Sequence, residues 1–461
     1  MALLPFLLAD EPVTSLDDYL GRGGGRGLAR ARQMGPEGVM EELSRSGLRG
    51  RGGAGFPTGV KWASTRAAEG RRRYAVCNAA EGEPATFKDR ALIRSNPYQC
   101  VEGLAIAALA MEAADAYVAT KARFEAERSL LEVAVEEMDV AGLLDEVTIV
   151  IVAGPDEYLF GEEKALLEVI EGHEPMPRLL PPYQHWLFAT APQLGWEAHS
   201  TEPGRLGLPE ANPTLVNNLE TLANVPHVLA RGAEWFRSVG TAESPGTIVC
   251  TVVGDVARAG VHEMEMGSPL SELLEAAGGP LPGRTFKAAF SGVANPVVDA
   301  GAFDTPLSYE AMRQIGSGLG AGGFAVYDDT ACMVAVAHAF SRFLYVESCG
   351  QCPPCKVGSG GITDILARIE AGHGTEADVE SMGRLLRTVT DANRCYLGTQ
   401  EQLVVASVLQ AFPQEVVAHL EGGCPFPHRH LSVPKLDDLV SGTAVYDDRH
   451  ASKRPDWTYA T

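Results

Sequence analysis

Between residues 74 and 152 the chain alternates two periods. Short apolar runs at 74–78, 116–120 and 147–152 read as buried strands. The stretches 99–113 and 124–138 between them space their apolar residues as helices do. Such a β-α-β-α order predicts a parallel, doubly wound sheet. Upstream, residues 15–31 form a lead-in with a short helix and a triple-glycine break. Pro36 then opens a helix whose apolar face carries Val39, Met40, Leu43 and Leu48. Downstream, 153–167 reads as a strand end, a glycine turn and a helix. Residues 175–213 hold eight prolines and predict a long ordered loop or a lid. A helical pattern follows at 215–229, with Asn217 and Asn218 near its start, placed to cap it or to bind a ligand.

From Gly246 the pattern shortens. Strands at 247–253, 261–265 and 285–290 with a helix at 269–277 predict a small α+β domain. The run Gly316–Gly323 has no flanking strand–turn–helix register and reads as a tight packing turn. Four helices are predicted at 331–346, 362–369, 377–389 and 402–419, and the stretch from Pro425 onward as an extended arm.

Length and charge narrow the function. A chain of 461 residues implies two to four domains. A formal net charge of −22 argues against nucleic acid as a partner, since phosphate contacts need clustered Lys and Arg. The apolar stretch at the start is short and lacks a charged flank, and no run is long enough to span a bilayer. The expectation is therefore a soluble, cytoplasmic protein without direct membrane insertion. Nine cysteines, three of them within seven residues, favour a metal site in a reducing compartment over a disulfide framework.

Two constellations carry chemistry. The first is GRGGAGFPTGVKW at 50–62. Five glycines leave backbone N–H groups free to form an anion-binding concavity, Arg51 and Lys61 add positive charge, and Phe56 offers a ring face. It reads as a cradle for a phosphate attached to something flat rather than as a linker. The acid-rich segment 79–90 follows a strand's carboxyl end, where ligands bind in open α/β sheets. Glu162 and Glu163 open a helix, where acids either complement the dipole or face the same ligand.

The second constellation is Cys349-x-x-Cys352-x-x-Cys355 with Cys395 forty residues on. Four thiolates hold either one zinc ion or a [4Fe–4S] cluster. Zinc sites more often use paired C-x₂-C knuckles, so the three-cysteine run favours the cluster. Cys77, Cys100, Cys250 and Cys332 read as buried core thiols, and Cys424 has no assigned role. A phosphate cradle beside a four-cysteine set suggests a flavin wired to iron–sulfur, because a flavin takes electrons in pairs and a cluster one at a time.

The motifs GLRGRGGAGFPTGVKW, CNAAEGEPATFKDR, EYLFGEEKALL, PTLVNNLETLANVP and ESCGQCPPC, in this order, resemble the flavin- and NADH-binding subunit of respiratory complex I. That subunit is shared with NAD-linked hydrogenases and formate dehydrogenases. The resemblance implies an α/β Rossmann-like flavin domain, a small β-grasp (ubiquitin-like) domain and a C-terminal four-helix bundle carrying an iron–sulfur cluster. The boundaries it suggests are 1–48 for the lead-in, 49–240, 241–328, 329–424, and 425–461 for the arm. It further implies FMN on Gly50, Gly52, Lys61, Asn78, Glu81, Tyr158, Gly161, Glu162, Val216, Asn217, Asn218 and Thr221. NADH would meet Phe56, Glu83, Glu163 and Tyr183, and the cluster would sit on Cys349, Cys352, Cys355 and Cys395. The implied activity is NADH oxidation by hydride transfer to FMN. Electrons would leave through the cluster to a small thioredoxin-like [2Fe–2S] subunit and a larger iron–sulfur subunit. The chain departs from the family pattern at Ser64, Ala80, Ala85, Leu180 and Tyr183, and in a longer loop at 184–212. Since these changes cluster on the nucleotide side, a second reading keeps flavin and cluster but takes electrons from another donor.

Overall fold

The computed structural model describes residues 6–70, 72–189, 212–427, 429, 431 and 433–460. Most of the predicted 184–212 loop lies outside the described residues.

Four strands, β1 (Tyr74–Ala79), β2 (Asp115–Lys121), β3 (Thr148–Gly154) and β4 (Thr214–Asn218), form a fully parallel sheet in the order β3-β2-β1-β4. Helix Pro97–Met111 is apolar nearly all round because it is buried nearly all round. Asn96 caps it, accepting from Gln99 N, and Pro97 takes its first turn. It lies so close to helix Leu219–Arg231 that a Cβ on Gly103 would sit 2.1 Å from the Leu222 carbonyl oxygen. Helix Arg26–Ser46 is interrupted at Gly35 (φ 70°), and Pro36 starts its second half as expected.

One predicted helix divides. Residues 214–218 pair with β1 as a parallel strand, and the helix begins only at Leu219. Five residues with only Leu215 and Val216 apolar are too short to show a period that separates strand from helix, so sheet pairing decides it.

The second sheet contains β5 (Thr247–Gly254), β6 (Gly260–Glu265), β7 (Phe286–Ser291), β8 (Val298–Asp299) and β9 (Gly323–Asp328) in the order β6-β5-β9-β7-β8. Only β5 and β9 run parallel. Helix Leu270–Ala276 packs Leu270, Leu273 and Leu274 into a core of its own with Phe324 and Val326.

The helical region has five helices where the pattern predicts four: Met333–Glu347, Pro353–Glu370, Glu376–Thr388, Leu397–Ala411 and Pro413–Leu420. The second starts inside the cysteine motif, with Pro353 in its first turn. The last expected helix breaks by 82° before Pro413, whose ring lacks the N–H that would continue it. The tail, expected as an extended arm, packs back on the chain. It forms a hairpin of β10 (Leu436–Val440) and β11 (Thr443–Tyr446), then sends His450 and Lys453 onto the buried Glu347. No single helix among the described residues is long and apolar enough to cross a membrane.

Candidate active site: two cavities and a cysteine pocket

In the first sheet the strand order reverses between β1 and β4, the place where doubly wound sheets open a crevice at their carboxyl ends. Asn78, next to last in β1, and Asn218, the last residue of β4, are register partners. A cavity of about 610 Å³ opens there. Gly52, Asn78, Glu81, Glu83, Tyr158, Gly161, Glu162 and Asn218 line it, and Ser291, Asn295, Gly320 and Ala321 of the second sheet's domain close it. The glycines are needed for close approach: a Cβ on Gly52 would meet Asn218 Cβ at 3.0 Å, and one on Gly161 the Ala80 carbonyl oxygen at 3.3 Å.

The cavity's acids are all engaged. Glu81 accepts from Asp89 N (2.9 Å) and Arg90 Nε (3.0 Å), and burial raises its pKa. Glu83 accepts from the Tyr158 hydroxyl (2.6 Å) and Val293 N (2.7 Å), and burial raises it too. Glu162 caps helix Glu163–Ile170 through Lys164 N and Ala165 N, both 3.0 Å, so it satisfies the dipole and lines the cavity at once. The cavity's cation is Lys88, held by Asp89 (2.7 Å), Asn218 Oδ1 (2.9 Å) and Glu220 (2.9 Å). Burial lowers its pKa, but the two carboxylates outweigh burial and raise it, so Lys88 stays charged.

A second cavity of about 720 Å³ adjoins the first across Ala54. Phe56, Lys61, Ser64, Glu163 and Tyr183 line it. The Phe56 and Tyr183 rings are 52% and 68% exposed, an open apolar surface for a flat ring. Lys61 Nζ donates to Glu163 Oε2 at 2.9 Å.

A small pocket gathers Cys349, Cys352, Cys355 and Cys395, and it shares Leu159, Cys395 and Leu397 with the wall of the first cavity. All four cysteines are free of disulfides. Arg394 N points to Cys352 Sγ (3.3 Å) and Gln351 Nε2 to Cys349 Sγ (3.5 Å), the N–H···S contacts that tune iron–sulfur centres. Among the described residues, two groups of potential ligands close to within 4.8 Å, the spacing for one ion, and neither contains these cysteines. A set of thiolates spread more widely fits a cluster better than one zinc ion. Burial, then the neighbouring sulfurs, pushes the Cys355 thiol up to about 12, a cost that a bound cationic centre removes.

Other expected residues stand behind the cavity. Gly50 donates to the Phe56 carbonyl (2.8 Å) and accepts from the Tyr309 hydroxyl (2.7 Å). Thr221 Oγ1 accepts from Arg51 N (2.8 Å), Asn217 Oδ1 accepts from Trp62 Nε1 (2.8 Å), and Val216 is buried in β4. Arg51 does not charge the cradle, because its guanidinium is buried against the carbonyls of Arg49, Pro245 and Thr247. Lys61, expected in the flavin set, lines the second cavity, and Glu83, expected in the nucleotide set, lines the first.

Residues 43–227 match the Nuo51 FMN-binding domain, 249–289 the SLBB domain, and 335–419 the NADH-ubiquinone oxidoreductase-F iron-sulfur binding region. The F 2 subunit of NADH-quinone oxidoreductase from Rhizobium meliloti (strain 1021) is 39% identical over 437 residues, spanning 92% of this chain and 99% of that protein. The chain belongs to the family of NADH-quinone oxidoreductase F subunits. The NADP-reducing hydrogenase subunit HndC of Solidesulfovibrio fructosivorans is 36% identical over 422 residues, covering 89% of this chain and 82% of that one. The crystal structure of an NAD⁺-reducing [NiFe]-hydrogenase in the H₂-reduced state superposes with a TM-score of 0.76 at 33% identity, over 89% of this chain and 67% of that chain.

For a member of this oxidoreductase family, several cavity residues escape a reading by motif. Lys88 and Asp89 stand inside the quoted acidic motif, yet only the fold shows them reaching Asn218 (Asp89 Oδ2 at 2.7 Å). Gly320 and Ala321 belong to the glycine run that reads as a packing turn; that run is the signal, and its ligand-facing role depends on a neighbouring domain. Gln400 donates to the Tyr158 hydroxyl (2.7 Å) from a distant helix that nothing local marks.

Proposed function

We propose that the chain is the flavin and iron–sulfur electron-input subunit of a multisubunit oxidoreductase, an NADH dehydrogenase subunit of the complex I type. The observation that carries this reading is the shared walls. The first cavity touches the second through Ala54 and the cysteine pocket through Leu159, Cys395 and Leu397. FMN belongs in the first cavity, whose glycine approaches and polar rim suit a phosphate and a ring. Gly52, Asn78, Tyr158, Gly161, Glu162 and Asn218 hold it directly, Glu81 fixes the acidic loop, and Gly50, Val216, Asn217 and Thr221 set the backbone behind. NADH belongs in the second cavity, with Phe56 and Tyr183 as faces and Lys61 and Glu163 as polar contacts; Glu83 would meet it from the wall of the first cavity. The [4Fe–4S] cluster belongs on Cys349, Cys352, Cys355 and Cys395. When bound, the flavin accepts a hydride as an electron pair and yields electrons singly to the cluster.

The chain's own residues set the conditions. Lys61, released from Glu163, offers its charge to a phosphate, while Phe56 and Tyr183 exclude water from a stacked ring. The five-stranded domain, with helices Leu270–Ala276 and Tyr309–Gln314 packed on a mixed sheet, supports the β-grasp reading, and the packing of Met333–Glu347 against Pro353–Glu370 and Leu397–Ala411 supports a bundle. A small thioredoxin-like [2Fe–2S] subunit and a larger iron–sulfur subunit are the partners we propose, in the cytoplasm. Anaerobic titration of reconstituted protein with NADH tests the reading. Flavin bleaching and a reduced-cluster EPR signal are expected; reduction by dithionite alone would transfer the electron donor's role to another molecule.

A further inference from the structure

None of Cys332, His419 and Cys424 lines either cavity or the four-cysteine pocket, yet their ligand atoms lie within 4.8 Å of one another. They come from three separate places: the N-cap of helix Met333–Glu347, the last turn of helix Pro413–Leu420, and the root of the tail. Cys332 Sγ is 3.6 Å from His419 Nε2. Zinc–sulfur and zinc–nitrogen bonds of about 2.3 and 2.05 Å at a tetrahedral angle place those two atoms about 3.6 Å apart.

The imidazole is set for this task. His419 Nδ1 is 2.8 Å from the Glu415 carbonyl oxygen, which only accepts, so Nδ1 carries the hydrogen and the Nε2 lone pair faces the sulfurs. Glu415 is itself fixed, its carboxylate accepting from Met333 N (2.8 Å) and Lys287 (2.6 Å). A thiol–imidazole hydrogen bond accounts for one sulfur at this spacing, and the Cys424 sulfur lies against that of Cys332. All three cysteine and histidine side chains are unclaimed by disulfides or by the redox centres. Cys332 and His419 are buried, and Cys424 is half-buried.

We propose that Cys332, His419 and Cys424 bind one zinc ion, completed by a water molecule, which clasps the root of the tail to the helical domain. Binding forms two zinc–sulfur bonds and one zinc–nitrogen bond and releases two thiol protons. The test uses full-length holoprotein purified under reducing conditions and exposed to zinc chloride, then desalted. Metal analysis is expected to find about one zinc per chain beside an undiminished iron content, and Zn-edge X-ray absorption two sulfurs at about 2.3 Å and a nitrogen at about 2.0 Å. Cys424→Ser is expected to lower retained zinc at least about ten-fold while iron and flavin contents stay unchanged. Zinc absent from the wild-type protein, zinc retained equally by Cys424→Ser, or a Cys332–Cys424 disulfide in the unreduced peptide map would each overturn the proposal.

Discussion

At Ala85 the chain holds a buried side chain at φ 64°, where the family pattern has glycine. The strain persists because the neighbourhood fixes this backbone: Ala85 N donates to the Pro434 carbonyl of the tail at 2.8 Å. Left-handed backbone costs an L-residue about 1–2 kcal/mol, part of which glycine gives back as unfolded-state entropy. Ala85→Gly should therefore raise the unfolding free energy by up to about 1 kcal/mol, read by urea denaturation. Ser64 is a second departure with a direct consequence. It lies exposed in the cavity with Phe56 and Tyr183, its hydroxyl spent on the Lys61 carbonyl (2.9 Å). An aromatic stack is worth about 0.5–1.5 kcal/mol, so Ser64→Phe should lower the KM for NADH by roughly two- to ten-fold with kcat little changed. Ala85 is readable from a motif, and Ser64 stands two residues past another. What no motif conveys is that Asn218 serves several partners at once, accepting from Lys88 and Glu220 N while donating to Asp89.

Helix Leu397–Ala411 shows how an element carries chemistry beyond its apolar face. Glu401 on this helix is fully buried among core residues, with the Ser341 hydroxyl donating to it at 2.6 Å. Burial pushes its pKa up to about 8, and the Ser341 bond pulls back only partly. The folded protein thus holds a proton that the unfolded chain releases near pH 4.5. Stability from this group is full below that value and is lost as pH rises toward 8. Glu401→Gln, which keeps the hydrogen bond without the proton, should flatten the fall in thermal stability between about pH 5 and 8; a slope unchanged from wild type would count against a protonated Glu401. At this scale the sequence is legible wherever an element is long and periodic, as at Glu125–Val140. It is not where an element is too short to show a period, as at Thr214–Asn218, or where the stop is one proline inside a helical pattern, as at Pro413. The β-α-β-α order is legible as a parallel sheet, whereas the cavity at its switch point needs β4, the strand whose sequence reads as helix.

Across the whole molecule, the tail ties the electron-carrying end of the helical domain to the first cavity. Glu347, at the end of helix Met333–Glu347, is wholly buried, and two tail residues meet its carboxylate: Lys453 at 2.9 and 3.0 Å and His450 at 2.9 Å. The same carboxylate accepts from Tyr158 N (3.0 Å), and Tyr158 lines the cavity proposed for flavin. Burial opposes charge on Glu347, but His450 and Lys453 outweigh it and hold its pKa below the usual carboxylate range. Deleting one partner of such a pair leaves an unpaired buried charge and costs about 3–5 kcal/mol, far more than the intact pair contributes. Lys453→Met should therefore destabilise the protein by about that amount, and adding Glu347→Gln should recover much of the loss. If the carboxylate also positions Tyr158, flavin release from Lys453→Met, followed by fluorescence, should be faster than from wild type at temperatures where both remain folded. Destabilisation without faster release would confine the tail's role to the helical domain. Faster release would mean that the tail segment carrying His450 and Lys453, distant in sequence, holds a wall of the first cavity through Glu347 and Tyr158, so that truncating it loosens a centre whose lining it does not itself join.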